Sequence, residues 1–105
     1  MTNKAILATI KSTVKSYLPD AKVLLFGSRA RGDEKDGSDF DLLIITPKTF
    51  TPREKISWCS LLDKALVKSI HAPVDVLFNS QDEVNVKKDL PGHIISWAMK
   101  EGVAL

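Results

Sequence analysis

Phe26-Gly27-Ser28-Arg29-Ala30-Arg31-Gly32, a polar loop, and then Ser38-Asp39-Phe40-Asp41-Leu42 form the stretch from which the rest of the chain is read. An apolar run, Val23 to Phe26, stops at Gly27-Ser28. A short basic segment is closed by Gly32, and the loop Asp33 to Gly37 leads to Ser38. Asp39-Phe40-Asp41 then opens a second apolar run, Leu42 to Ile45. Two strands are expected, bracketing small-residue turns, two arginines and a spaced pair of carboxylates.

In a strand from Asp39 to Thr46, residues two apart share a face. Asp39 and Asp41 then lie on one face, about 6.6 Å apart along the strand, with Phe40 and Leu42 on the other. Carboxylates this close repel each other unless a cation lies between them. Hard oxygen ligands suit Mg2+, which takes one or two carboxylates and completes its shell with phosphates and water. The pair therefore points to metal-assisted phosphoryl or nucleotidyl transfer. The turn before it offers an anion site. Ser28 is placed to cap a helical turn Arg29-Ala30-Arg31, and free N–H groups at a helix start attract phosphate. Gly27 and Gly32 have the spacing of a P-loop, but Asp33-Glu34 follows where Lys and Ser/Thr are required. The absence of Gly-x-Gly-x-x-Gly leaves a dinucleotide fingerprint unsupported.

These two linked motifs resemble the Gly-Ser…Asp-x-Asp signature of the polymerase-beta superfamily of nucleotidyltransferases. The Ala30-Arg31-Gly32 and Ser38-Asp39-x-Asp41-Leu42 details are similar to its small free-standing branch, the minimal nucleotidyltransferases (MNT). The family places a third carboxylate on a later strand, and Val74-Asp75-Val76 supplies one. Asp75 interrupts an otherwise apolar strand, where an unpartnered buried carboxylate would be expensive; that it meets Asp39 and Asp41 in space is implied by the resemblance. The resemblance implies an α/β (α+β) fold, a small mixed sheet with helices mainly on one face, as in the palm-like nucleotidyltransferase core. It implies attack by an acceptor hydroxyl on the α-phosphate of ATP, with pyrophosphate released. Asp39, Asp41 and Asp75 would be catalytic and hold two Mg2+ ions, Asp75 also assisting deprotonation. Gly27, Ser28, Arg31 and Ser38 would bind the nucleotide, with Arg31 preferred over Arg29 and Ser38 equally readable as a turn residue.

A chain of 105 residues fits one domain, 1–105, with no room for an acceptor-binding domain such as larger relatives carry. The acceptor site is expected on another chain. By resemblance, that chain is a helical HEPN-type toxin protein, which the MNT antitoxin neutralises by transferring AMP to it. Two other readings stand beside this: a binding-only antitoxin that occludes its partner, and one half of a two-chain small-molecule nucleotidyltransferase. Hydrophobic content of 44% supports a modest core, and a net charge of +2 is too mild to argue direct nucleic-acid binding. One cysteine excludes an internal disulfide, and no signal peptide or membrane-length apolar run is seen, so a cytoplasmic, membrane-free protein is expected.

Along the chain, a helix is expected from a cap at Thr2 or Asn3 to about Leu18, and strands at Lys22 to Phe26 and Val74 to Phe78. A long helix from Thr51 or Pro52 carries an expected stripe of Ile56, Cys59, Leu62, Leu66 and Ile70. Ser80 or Asp82 is placed to cap a short helix, and a last helix runs from His93 to Lys100, ended by Gly102. Its apolar Ile94 to Met99 is a candidate partner or self-association surface. His71 and His93 lack metal-ligand spacing and read as structural or surface residues. Cys59 reads as core, Trp58 as core or partner contact, and Lys87-Lys88 as a solvated patch.

Overall fold

Leu42-Leu43-Ile44-Ile45 contains no polar side chain, and all four residues are buried. A strand buried on both faces needs cover on both, and that requirement organises the chain. The computed structural model describes residues 3–105. Helix α1 (Asn3–Tyr17) leads to β1 (Lys22–Phe26), the single turn α2 (Ser28–Arg31) and β2 (Phe40–Thr46). Then follow α3 (Pro52–Ile70), β3 (Val74–Ser80), α4 (Gln81–Lys87), α5 (Ile94–Glu101) and β4 (Val103–Ala104). The sheet order is β3-β2-β1-β4. β1 runs antiparallel to both β2 and β4, whereas β2 and β3 are parallel. A parallel pair needs a crossover, and α3 provides it.

The alternation of side chains divides the sheet into two faces. Val23, Leu25, Phe40, Leu42 and Ile44 pack with Ile10 and Val14 of α1 and Leu62, Leu66 and Ile70 of α3. This is the expected mixed sheet with its two long helices on one face. On the other face, Phe26, Leu43 and Ile45 pack with Val84 of α4 and Ile95 and Ala98 of α5. The ends of α3 and α4 are written in the sequence. Thr51 and Glu54 form a reciprocal capping box at α3, with Pro52 in the first turn, and Ser80 and Glu83 repeat the arrangement at α4. Lys55 pairs with Glu83 and ties the two helices together. Among the described residues no helix is long and apolar enough to cross a membrane.

Several details differ from the sequence reading. A cap at Thr2 falls outside the described residues, and Asn3 is already helical. Asp39 stands one residue before β2 instead of opening it. β3 continues two residues past Phe78, because Asn79 and Ser80 pair with Ile45 and Thr46. Ile56 does not belong to the core stripe of α3: it is 72% exposed. Trp58 instead joins Phe50 and Phe78 in an aromatic group, stacked on Phe78 at 6.4 Å. β4 was not expected at all. Its two residues carry no recognisable strand pattern and pair at the β1 edge, Leu24 with Ala104 and Leu25 with Val103.

The difference between Leu66 and Ile56 makes a direct test of this packing. Leu66→Ala, at 0% exposure, is expected to cost about 3 kcal/mol by leaving a cavity beneath the sheet. Ile56→Ala is expected to change stability by less than about 0.5 kcal/mol. Urea unfolding of the two variants checks the pair.

Candidate active site

Asp41 has a carboxylate neighbour on β3. The parallel register sets Asp41 opposite Asp75 and Phe26 of β1 opposite Asp41 on its other side. Adjacent strands lie about 4.8 Å apart, so two carboxylates start side by side at one end of the sheet. The Phe40 N–H donates to the Pro73 carbonyl at 3.0 Å and fixes the entry of β2 against that of β3. Asp39 precedes the strand and is exposed, and its charge acts on Asp41. Asp41 and Asp75 lie on the face that carries Leu43, Ile45 and Leu77, the face covered further along by α4 and α5. Asp75 is exposed, which corrects the expectation of a costly buried carboxylate.

Asp41 is half-buried, and its carboxyl is pushed above the ordinary aspartate range. Burial is the largest cause, followed by the charges of Asp75 and Asp39; Arg31 opposes them, and Glu101 adds a smaller push upward. The repulsion inferred from the sequence is thus present in the fold. An all-oxygen donor set under this repulsion suits a hard cation such as Mg2+. Among the described residues no three His, Cys, Asp or Glu side chains close into a ligand cluster.

The glycine turn is shaped around these groups. Gly27 takes φ +74°, and a Cβ there would lie 2.2 Å from Asp41 Oδ2. The position therefore requires glycine both for conformation and for room. Gly27, not Ser28, occupies the cap position of α2, with no side-chain cap bond; Ser28 is the first helical residue. The Gly27 carbonyl accepts from the Ala30 and Arg31 N–H groups at 3.1 Å each.

The two arginines have different tasks. Arg29 donates through Nε and Nη2 to the Ser38 carbonyl, at 3.3 and 2.9 Å, and its guanidinium lies 4.2 Å from the Phe40 ring centroid. It fastens the loop to the start of β2. Ser38 closes the same loop, its Oγ accepting from the Lys35 N–H at 2.8 Å. Its turn role is therefore visible in the fold, and its hydroxyl is directed to the loop. Arg31 is exposed and sits between Asp33 and Glu101, which hold its proton more firmly, Asp33 foremost.

Glu101, at the end of α5, is the residue that the sequence reading missed. Its Oε1 accepts from the Gly27 N–H at 2.9 Å, and both of its oxygens accept from Arg31 Nη1 at 3.2 Å. One signal was available: an acidic side chain in the last turn of a helix opposes the helix dipole and calls for a local partner. Of the other singled-out residues, His93 caps α5, its Nδ1 accepting from the Ile95 N–H, and His71 is exposed. Cys59 is partly buried against the larger core.

The profile of the nucleotidyltransferase domain family matches residues 7–103. The "probable protein adenylyltransferase MntA" of Haemophilus influenzae is 40% identical over 52 residues, a match that spans 48% of this chain and 46% of that protein. A solved candidate minimal nucleotidyltransferase superposes with a TM-score of 0.67 at 21% identity, covering 100% of this chain and 97% of the other. A chain of the tri-AMPylated Shewanella oneidensis HEPN toxin in complex with MNT antitoxin gives a TM-score of 0.63 at 13% identity, covering 98% of this chain and 71% of that one. At such identities the superpositions establish a shared fold.

The repulsion at Asp41 has a measurable consequence. A carboxyl whose folded-state pKa lies above its unfolded value stabilises the fold below the unfolded value and loses that contribution as pH rises through the folded one. At neutral pH Asp41 therefore weighs against folding. In chelator-treated buffer, Asp41→Asn is expected to raise the thermal midpoint at pH 7 by a few degrees, and the gain should vanish as pH falls through the carboxylate range. A lower midpoint at pH 7 would contradict this account.

Proposed function

Because the chain belongs to the nucleotidyltransferase domain family, we propose that it is a metal-dependent nucleotidyltransferase that moves AMP from ATP to a hydroxyl of a partner protein. The observation that carries this reading is the pairing of Asp41 with Asp75 across parallel strands, with the Gly27 turn pressed against Asp41. Asp39, Asp41 and Asp75 would hold two Mg2+ ions, which would supply positive charge to offset that of the reacting phosphate oxygens. The Gly27 and Ser28 turn cradles the β- and γ-phosphates, with Arg31 at its rim as a charged donor. Ser38 keeps the loop closed and borders the nucleotide. Asp75, exposed at the strand entry, accepts the proton of the incoming hydroxyl. The oxygen of that hydroxyl bonds to the α-phosphorus, the bond from the α-phosphorus to the bridging oxygen breaks, and pyrophosphate leaves.

The AMPylated state of the Shewanella oneidensis HEPN toxin supports a HEPN-type helical protein as acceptor, with this chain as its antitoxin. The surface we assign to that partner is the outer side of α5, where Ile94 is 47% and Trp97 58% exposed. Occlusion without transfer is the second reading. One observation favours it: the Gly27 N–H and Arg31 are already occupied by Glu101.

The deciding experiment is label transfer. The protein is incubated with α-labelled ATP, Mg2+ and a lysate of its host, beside an Asp39→Asn/Asp41→Asn control. A labelled protein band that requires both carboxylates is expected. No band, with folded protein and its partner present, would favour occlusion. Trp97→Asp is expected to abolish co-purification of the partner while leaving the thermal midpoint nearly unchanged. Unfolding of that variant would place Trp97 in the core instead of on the binding face.

A further inference from the structure

The Gly27 N–H and the Arg31 guanidinium converge on one anion, and that anion belongs to the chain itself. Glu101 Oε1 accepts from the Gly27 N–H at 2.9 Å and shares Arg31 Nη1 with Oε2. The contact spans 74 residues of sequence, so it is a product of the fold. Three features hold Glu101 there. α5 packs on the sheet through Ile95 and Ala98. Gly102 leaves α5 with no room for a side chain, since a Cβ would meet the Ala98 carbonyl oxygen at 2.3 Å and Leu24 Cδ2 at 3.1 Å. β4 then pairs with β1, and the Leu105 N–H donates to the Val23 carbonyl at 2.9 Å.

A carboxylate that accepts a backbone N–H and a guanidinium makes the same kinds of bond as a phosphate oxygen. Donors engaged by one anion are not free for another. The arrangement also places a second carboxylate against the turn, because Asp41 lies where a Gly27 side chain would go and Glu101 accepts from the Gly27 N–H. An incoming polyphosphate would meet Glu101 both as a competitor for donors and as a like charge. The Glu101 side chain is 23% exposed, so it has access to solvent without unfolding α5.

We propose that Glu101 is an internal competitor at the phosphate site: it caps the Gly27 N–H and Arg31, and a nucleoside triphosphate binds by displacing it. This rests on the proposed reading of the Gly27 turn as the phosphate cradle. The competing idea is that Glu101 positions Arg31 for the nucleotide. The two differ in sign. Removing a competitor tightens binding, because the apparent affinity is reduced by the fraction of time the site is blocked. Removing a positioning group weakens it.

The test is calorimetric titration of the full chain and of Glu101→Gln with α,β-methylene-ATP and Mg2+, a nucleotide whose α–β linkage does not transfer. Glu101→Gln is expected to bind about tenfold more tightly, as for a site blocked about nine-tenths of the time. Glu101→Asp, one methylene shorter, is expected to move the affinity in the same direction, and it serves if the Gln variant fails to fold. Equal or weaker binding by a folded variant overturns the proposal, and weaker binding assigns Glu101 to positioning Arg31. Binding by neither protein overturns the nucleotide-site reading itself, and this proposal with it.

Discussion

Asp41 and Asp75 stand side by side at the entry of two parallel strands, and like charges at that spacing are tolerated only where something else holds the strands together. Here that something is the hydrophobic run beyond Asp41. Leu42, Leu43, Ile44 and Ile45 are all buried, so β2 cannot slide by one residue without sending its apolar side chains to the wrong faces. The register that buries the core therefore also fixes the carboxylate pair. The Phe40 to Pro73 hydrogen bond locks the same junction. Stability is supplied in the middle of the sheet and given up at its end, a common division between a scaffold and a reactive site.

Much of this was legible in residues 23–45. Two apolar runs announced the strands, and the glycines announced the turns. Gly27 was readable as a turn residue, and only the fold shows that Asp41 lies against it. The spacing of Asp39 and Asp41 was readable as a carboxylate pair, and the Asp39 charge does act on Asp41, although Asp39 lies outside the regular strand. The capping residues Thr51 and Ser80 were readable because their chemistry is local. Ile56 misled because helical spacing alone does not say where the buried stripe of a helix ends: it lies near the start of α3, and the core begins beyond it at Trp58 and Cys59.

What sequence reasoning missed depends on contacts between distant residues. β4 exists because the edge of β1 is open and α5 delivers the chain to it, and two residues cannot carry a periodic pattern. Glu101 owes its role to that delivery. Gly102 looked like an ordinary helix terminator, yet its φ is −67°, a value open to any residue. It is required for room against Ala98 and Leu24, not for backbone freedom. The same short segment thus ends α5, completes the sheet and brings a carboxylate to the glycine turn. α5 consequently joins two regions of the proposed function. Ile94, Trp97 and Glu101 recur at the i, i+3, i+7 spacing of one helical stripe, so the exposed apolar surface and the anion contact belong to one rigid element.

Charge balance decides how a triphosphate can approach this end of the sheet. Asp39, Asp41, Asp75 and Glu101 bring four carboxylates to the region, and Arg31, itself shared with Asp33, is the cation set among them. Burial is the largest cause of the upward push on the Asp41 carboxyl, and the charges of Asp75 and Asp39 add to it against the opposing Arg31. A bare polyphosphate entering that field would add charge of the same sign. A polyphosphate carrying divalent cations reverses the sign of the encounter, because the ions are then the largest local charges and the carboxylates become their ligands. On the proposed function, the acidic site therefore selects the metal complex of the nucleotide over the free nucleotide. On the same proposal, displacement of Glu101 follows the same logic: the phosphates would take over the Gly27 N–H and Arg31, and the aspartates would hold the cations.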